Sequence, residues 1–315
     1  MPITLPLRHF LAILGGHATW VLFGGVLIGL ILPDLASMAR PLLVPSVALM
    51  LLLTMLRIDW HLIVHYGRRY VLLIVSLIWI LGTTPVLVWA ALWFDGLPTE
   101  LASAIILMAA APPIVGSASI ALFLRLESEL ALVITVLATF IAPITLPPAG
   151  LTLIGLEIGF DSWAFMARLL GIIGFASLGA FILLRWFGRE RIVSHGQRID
   201  GGIVALMLVF AIAIMDGVTE TLLSDPGKIA LWIAAAFFAN ILLQGAGLIG
   251  FLWSGRNQAA TVALLSGNRN MGLVLAALPP GAPQDIFLFF ALAQLPIYML
   301  PIILKSVYKS LTNRM

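Results

Sequence analysis

Ser266, Asn268, Arg269 and Asn270, punctuated by Gly267 and Gly272, stand in the middle of an apolar run from Ala259 to Pro280. An ionisable residue at membrane depth is costly and marks a function by default. Arg269 does not deprotonate in a protein, and its planar fork suits a carboxylate bidentately. The chemistry on offer is electrostatic anchoring of an anion. The alternative is that Arg269 snorkels, or caps carbonyl groups opened in a neighbouring helix. No Asp or Glu falls in the interior of a membrane span, away from its ends, to neutralise it. An unpaired charge at that depth costs about 3 kcal/mol on insertion scales, so carbonyl dipoles, water or a bound anion must compensate.

A second cluster matches the first. Pro112, Pro113, Gly116, Ser117 and Ser119 interrupt another apolar run. Pro113 removes a backbone donor and clashes with the preceding turn, so the helix must kink or open. Asn268, Asn270, Ser266, Ser117 and Ser119 flank the two breaks, either as caps for exposed backbone or as substrate contacts. Half-helix N-termini there add partial positive charge, which favours an anion. Asn240 and Gln244 are four residues apart and share a helix face, as interhelical glue or as contacts on a pathway. Gln294 and Tyr298 repeat that spacing beside Pro296, and Thr135 with Thr139 repeats it again, although helical threonines usually bond their own backbone. His17 is the one histidine within a span, and a packing role outweighs proton coupling. His61, His65 and His195 have no metal-ligand partners at useful spacing. The tryptophans, among them Trp79, Trp93, Trp186, Trp232 and Trp253, fall mostly near span ends, as interfacial anchors do.

These residues need elements to hold them. Of 315 residues, 62% are hydrophobic and 10% charged, against about 25% charged in a soluble domain. Apolar runs long enough to cross a bilayer recur from end to end. Ten spans fit, at about 10–33, 41–57, 69–94, 99–124, 129–153, 163–186, 199–216, 227–253, 258–280 and 285–305. The first is too long for the apolar core of a signal peptide. Alternating the loops puts thirteen Lys and Arg residues on one side and three, Arg40, Arg168 and Lys228, on the other. The positive-inside rule then places both termini in the cytoplasm, in an inner or plasma membrane. The acids gather on the far side, as ordinary topology bias. The net charge of +3 is loop arginine and gives no reason to expect nucleic acid as a partner. With no cysteine, thiolate sites and disulfides are excluded. No carboxylate dyad, metal cluster or paired nucleophile and base argues for an enzyme, and no cofactor is expected.

The breaks are ordered. Pro143 and Pro296 are separated by 153 residues, as are Ser117 and Asn270. Each half runs through three ordinary spans, a broken one and one with a proline pair. Five spans is an odd number, so the second copy is inverted. The fold class expected is an all-α polytopic membrane protein with ten transmembrane helices in two inverted five-helix repeats, 1–155 and 156–315, whose broken helices 4 and 9 mark a midplane site.

Ala111, Pro112 and Pro113 through Gly116 to Ser119, then Leu130 to Thr135, together with Gly267 to Leu273, resemble the bile acid:sodium symporter family. The auxin-efflux-type carriers are a near neighbour. The resemblance implies a panel domain (spans 1, 2, 6 and 7), a core domain (spans 3–5 and 8–10) in which broken spans 4 and 9 cross, and substrate between the two. In sodium-coupled members two sodium ions lie beside it. At positions that match those members' ligands, this chain carries Ile120, Val133, Leu137, Leu265 and Ile80, while Arg269 stands where a span 9 glutamine would be. Sodium needs several oxygens, so the expectation is a carrier of a small or amphipathic organic anion, by alternating access and without sodium coupling. The alternative is a membrane-embedded ligand sensor or accessory protein that keeps the fold without transport. Pro112, Pro113, Gly116, Gly267 and Gly272 are the expected hinge positions.

Overall fold

The computed structural model describes residues 18–58, 64, 66–92, 97–154, 161–278 and 282–312. His17, His61, His65 and Trp93 lie outside them. Among the described residues regular structure is helical, apart from one isolated β-bridge. Seven helices among the described residues are long and apolar enough to cross a membrane: Pro33–Arg57, Gly67–Leu92, Ser128–Ala149, Ser162–Phe187, Gly196–Ser224, Pro226–Gly250 and Gln284–Ile303. This is a polytopic all-helical membrane protein.

The two interrupted runs show why spans 4 and 9 are not among the seven. Span 4 is a helix of 12 residues, Thr99–Ala110, followed by one of 7, Ser117–Phe123. Span 9 divides in the same way, into Arg256–Gly267 with 12 residues and Met271–Ala277 with 7. In span 4 the break follows from consecutive prolines, since a residue before proline is pushed out of the α region; Ala111 is extended at φ −65, ψ 149. In span 9 Gly267 and the two asparagines are weak helix formers, and Asn268 is extended at φ −90, ψ 90.

Span 3 holds a third irregularity that the sequence reading passed over. Its helix Tyr70–Ile78 runs through a π-helical turn at Trp79–Thr83 and resumes as Thr84–Leu92. The overlooked signal is Pro85, which cannot donate to the turn before it. Such turns often sit at functional sites.

The chain forms two compact units. One comprises Met1–Ile58 and Gly171–Pro226. In it Gly25 and Gly29, four apart, let the Ala18–Ile31 helix approach Gly196–Ala213 closely. A Cβ on Gly25 would meet Leu208 Cδ1 at 2.8 Å, and one on Gly29 would meet the Ile212 carbonyl oxygen at 2.8 Å. Small residues at that spacing are a general device for packing membrane helices. The antiparallel spans 2 and 7 are tied near both ends. Arg40 pairs with Asp216, and Arg57 Nε with Asp200 Oδ1 at 2.9 Å. The second pair is half-exposed, so it contributes about 0–1 kcal/mol and fixes register more than stability.

The other unit comprises Asp59–Leu170 and Gly227–Met315. Its apolar core joins spans 3, 4, 5 and 9, with Leu72, Ile80, Leu130, Ile134, Val262 and Leu264 buried together. Trp232 is not the interfacial anchor the sequence suggested. It is 2% exposed and packs edge-on against Phe289, with Lys228 over its ring. Trp186 and Trp253 are exposed, as anchors are. Lys228 also pairs with Asp285 at 2.7 Å, and Arg168 donates to the Leu278 carbonyl at 2.9 Å.

Candidate functional site

The two breaks meet. Ile114 N donates to the Asn268 carbonyl at 2.9 Å and Asn270 N to the Pro112 carbonyl at 2.7 Å. This makes an antiparallel bridge between Pro113 and Arg269. Two stretches of backbone that could not face lipid therefore satisfy one another inside the protein.

Arg269 is the side chain around which the bridge closes. It is 0% exposed. Nε donates to the Ser266 carbonyl at 2.7 Å, Nη1 to the carbonyls of Ile80 and Ala111 at 2.9 Å each, and Nη2 to Thr84 Oγ1 at 2.8 Å. Each acceptor comes from an irregular stretch or its edge: the break in span 9, the π turn in span 3, the break in span 4, and the residue that follows the π turn. Four charge-assisted bonds at roughly 1.5–3 kcal/mol each offset a desolvation cost of several kcal/mol. Carbonyl dipoles are what compensate this charge, and no ion pair to Arg269 occurs among the described residues. Four of the five guanidinium N–H groups are engaged. The bidentate fork expected for an anion is occupied by the protein's own oxygens, which leaves one N–H.

Several expected site residues are likewise engaged. Asn270 caps Met271–Ala277, its Oδ1 accepting from Leu273 N at 3.1 Å. Ser117 Oγ donates to the Ile114 carbonyl at 2.6 Å. Ser266 Oγ donates to the Val262 carbonyl and accepts from Trp79 Nε1 at 2.9 Å, a contact that the interfacial reading of Trp79 missed. Gln294 Nε2 donates to its own helix at Phe290. Thr139 bonds back to Thr135. Ser119 is exposed and 8% of Asn270 is accessible.

Asn240 and Gln244 do share a face and bond each other. Gln244 Nε2 donates to Asn240 Oδ1 at 2.6 Å, while Asn240 Nδ2 donates to the Gly267 carbonyl at 3.0 Å and to Asn268 Oδ1 at 3.3 Å. Beyond them Tyr308 Oη, on the helix Lys305–Thr312, donates to Gln244 Oε1 at 2.6 Å. Burial pushes the Tyr308 phenol above its ordinary range, so it remains a donor. Nothing in its local sequence marked Tyr308, because its partner lies 64 residues away.

The glycines act by closeness. None of the crossover glycines has a left-handed φ. A Cβ on Gly267 would meet Asn240 Oδ1 at 2.4 Å and Gln244 Cγ at 2.6 Å, and one on Gly247 would meet Ser266 Oγ at 2.5 Å. Gly116 is at φ −75, ψ 0, and Gly272 is buried in the Met271–Ala277 helix.

The five positions read as vacated cation ligands come together. Ile80, Val133 and Leu265 belong to one buried apolar cluster, and Ile120 and Leu137 pack against it. The side chains at these five positions carry no oxygen to offer a cation. Residues 44–175, from span 2 into span 6, match the model of the Sodium Bile acid symporter family, and no curated protein matches the chain.

Proposed function

We propose, from the match of residues 44–175 to the model of the Sodium Bile acid symporter family, that the chain is a transporter of that type: a secondary carrier of a small or amphipathic organic anion, working by alternating access without sodium coupling. One observation carries this reading: seven carbonyls at the paired breaks already accept from the protein, and a side-chain donor is left over. The carbonyls of Ala111, Pro112, Ile114, Ser266, Gly267, Asn268 and Arg269 each accept from a protein donor. Elsewhere, unwound carbonyls between half-helices are what coordinate a coupling sodium ion. Here Arg269 and Asn240 occupy several of them. Among the described residues the unpartnered buried side-chain polar atom at the breaks is Asn268 Nδ2, a donor.

Arg269 need not touch the substrate to favour an anion. Its charge is solvated by dipoles and remains uncancelled. At an effective dielectric of about 20, an anion about 8 Å away gains roughly 2 kcal/mol. We place the anion near Asn268, Asn270, Ser119 and Arg269, with Ser117, Ser266, Asn240, Gln244 and Gln294 holding the surrounding helices. The inverted five-helix repeats are part of the proposal, supported by the matching 12- and 7-residue halves of spans 4 and 9. So are the panel and the core, a division supported by the compact unit that holds spans 1, 2 and 7 with span 6 from Gly171 onward.

Uptake of a panel of radiolabelled carboxylates into proteoliposomes, with sodium or with choline as the sole external cation, tests the reading. Equal uptake in both is expected. Uptake confined to sodium would overturn the uncoupled reading. Binding of carboxylates without any flux would favour a ligand sensor.

A further inference from the structure

The hydrogen bonds from Tyr308 to the span 9 break have only one workable direction. A backbone carbonyl can only accept, so the Gly267 oxygen requires the nitrogen of the Asn240 amide to face it. Asn240 Oδ1 then faces Gln244 and requires its nitrogen, at 2.6 Å. Gln244 Oε1 is left to face Tyr308, whose hydroxyl donates to it at 2.6 Å. Rotating any one amide by half a turn would set two acceptors against each other. At the other end Asn240 Nδ2 also serves Asn268 Oδ1, so the nitrogen of the Asn268 amide points away from the relay. Asn268 is 0% exposed, and its Nδ2 has no partner among the described residues. Leaving a buried amide donor unmade costs about 1–3 kcal/mol, and an apolar residue of similar size would remove that cost.

We propose that Asn268 Nδ2 is a buried binding point for an acceptor oxygen, and that Tyr308, Gln244 and Asn240 are positioning residues that hold it in the donating orientation. The oxygen comes either from the carboxylate of a transported anion, which rests on the function proposed above, or from an ordered water.

Thermal unfolding of the purified full chain in detergent separates the cases, with cholate and benzoate as carboxylate probes and the variants Asn268→Leu and Tyr308→Phe. Asn268→Leu keeps the volume and removes the donor, while Asn240 Nδ2 retains the Gly267 carbonyl. If a carboxylate is the ligand, both probes stabilise the wild type, Asn268→Leu abolishes that stabilisation, and Tyr308→Phe weakens the apparent affinity about tenfold, the worth of one hydrogen bond to a charged group. If a water is the ligand, Asn268→Leu lowers the melting temperature of the ligand-free protein. That outcome in a wild type that neither probe stabilises keeps the binding point and counts against the anion carrier alone. A ligand-free melting temperature that rises in Asn268→Leu, with unchanged probe affinity, overturns the binding point, because it shows the amide to be a dry orphan. Wild-type probe affinity in Tyr308→Phe alongside its loss in Asn268→Leu overturns the positioning role.

Discussion

Arg269 does with one side chain what a bound cation does with its charge: it gathers oxygens from three separate helices. Truncating it leaves the carbonyls of Ala111 and Ser266 and the hydroxyl of Thr84 without their donor in a fully buried place, while the Ile80 carbonyl keeps the Thr84 hydroxyl as its donor. At about 1 kcal/mol or more for each orphaned group, Arg269→Ala costs about 3 kcal/mol or more. That corresponds to a melting temperature lower by roughly 5–10 °C for a chain of this size, together with loss of transport. The hole has the shape and donor demand of a guanidinium. Methylguanidinium therefore raises the melting temperature of Arg269→Ala and leaves the wild type unaffected. A variant that melts like the wild type would show the cage to be dispensable. The arginine itself was legible in the sequence as a charge in an apolar run. Its partners were not, because three are backbone carbonyls, which carry no residue identity, and Ile80 and Thr84 stand 189 and 185 residues away. The bidentate anion fork was inferred from side-chain chemistry alone, and backbone released by the π turn and the span 4 break competes for the same N–H groups.

At the scale of elements, the proximity of spans 8 and 9 depends on two residues without side chains. Gly267 lies against Asn240 and Gln244, and Gly247 lies against Ser266. A methyl group at either place must displace an amide or a hydroxyl that is itself hydrogen-bonded. Overpacking of this kind costs about 1–3 kcal/mol. Gly267→Ala is the more severe of the two, because its nearest neighbour is the Asn240 oxygen that accepts from Gln244. Thermal unfolding is expected to rank the wild type above Gly247→Ala and Gly247→Ala above Gly267→Ala. Equal stability of all three would mean that the helices separate at no cost. The sequence exposed the breaks in spans 4 and 9 because proline and glycine act locally on the backbone. It did not show that the span 9 glycine serves a close approach, since that depends on which helix lies opposite. The π turn of span 3 was hidden behind a continuous apolar run, with Pro85 its one local sign.

At the scale of the whole molecule, composition carries most of the information, since hydropathy and loop charge act over long windows. The expectation of ten alternating spans comes from such sums, and so does that of thirteen basic residues on one side. The structure adds a local observation. Each of the three basic residues on the minority side has a partner: Arg40 with Asp216, Lys228 with Asp285, and Arg168 with the Leu278 carbonyl. A cation held in this way is less free to follow the bias that orients loops. The division into a first and a second half was read from repeated features along the chain. The compact units cut across it, each taking segments from both halves, because strands of sequence related by repetition are not those that pack most closely. The orientation can be tested without background, since the chain contains no cysteine. Leu223, on the short helix after span 7, and Lys309, on the helix that carries Tyr308, are both exposed. They fall on opposite sides in the ten-span arrangement. In intact cells a membrane-impermeant maleimide is expected to label Leu223→Cys at once and Lys309→Cys only after permeabilisation. Labelling of both would change the number of spans after Leu223 and overturn the ten-span arrangement on which the repeat depends, whereas labelling of Lys309→Cys alone would invert the whole chain and leave the two broken spans antiparallel.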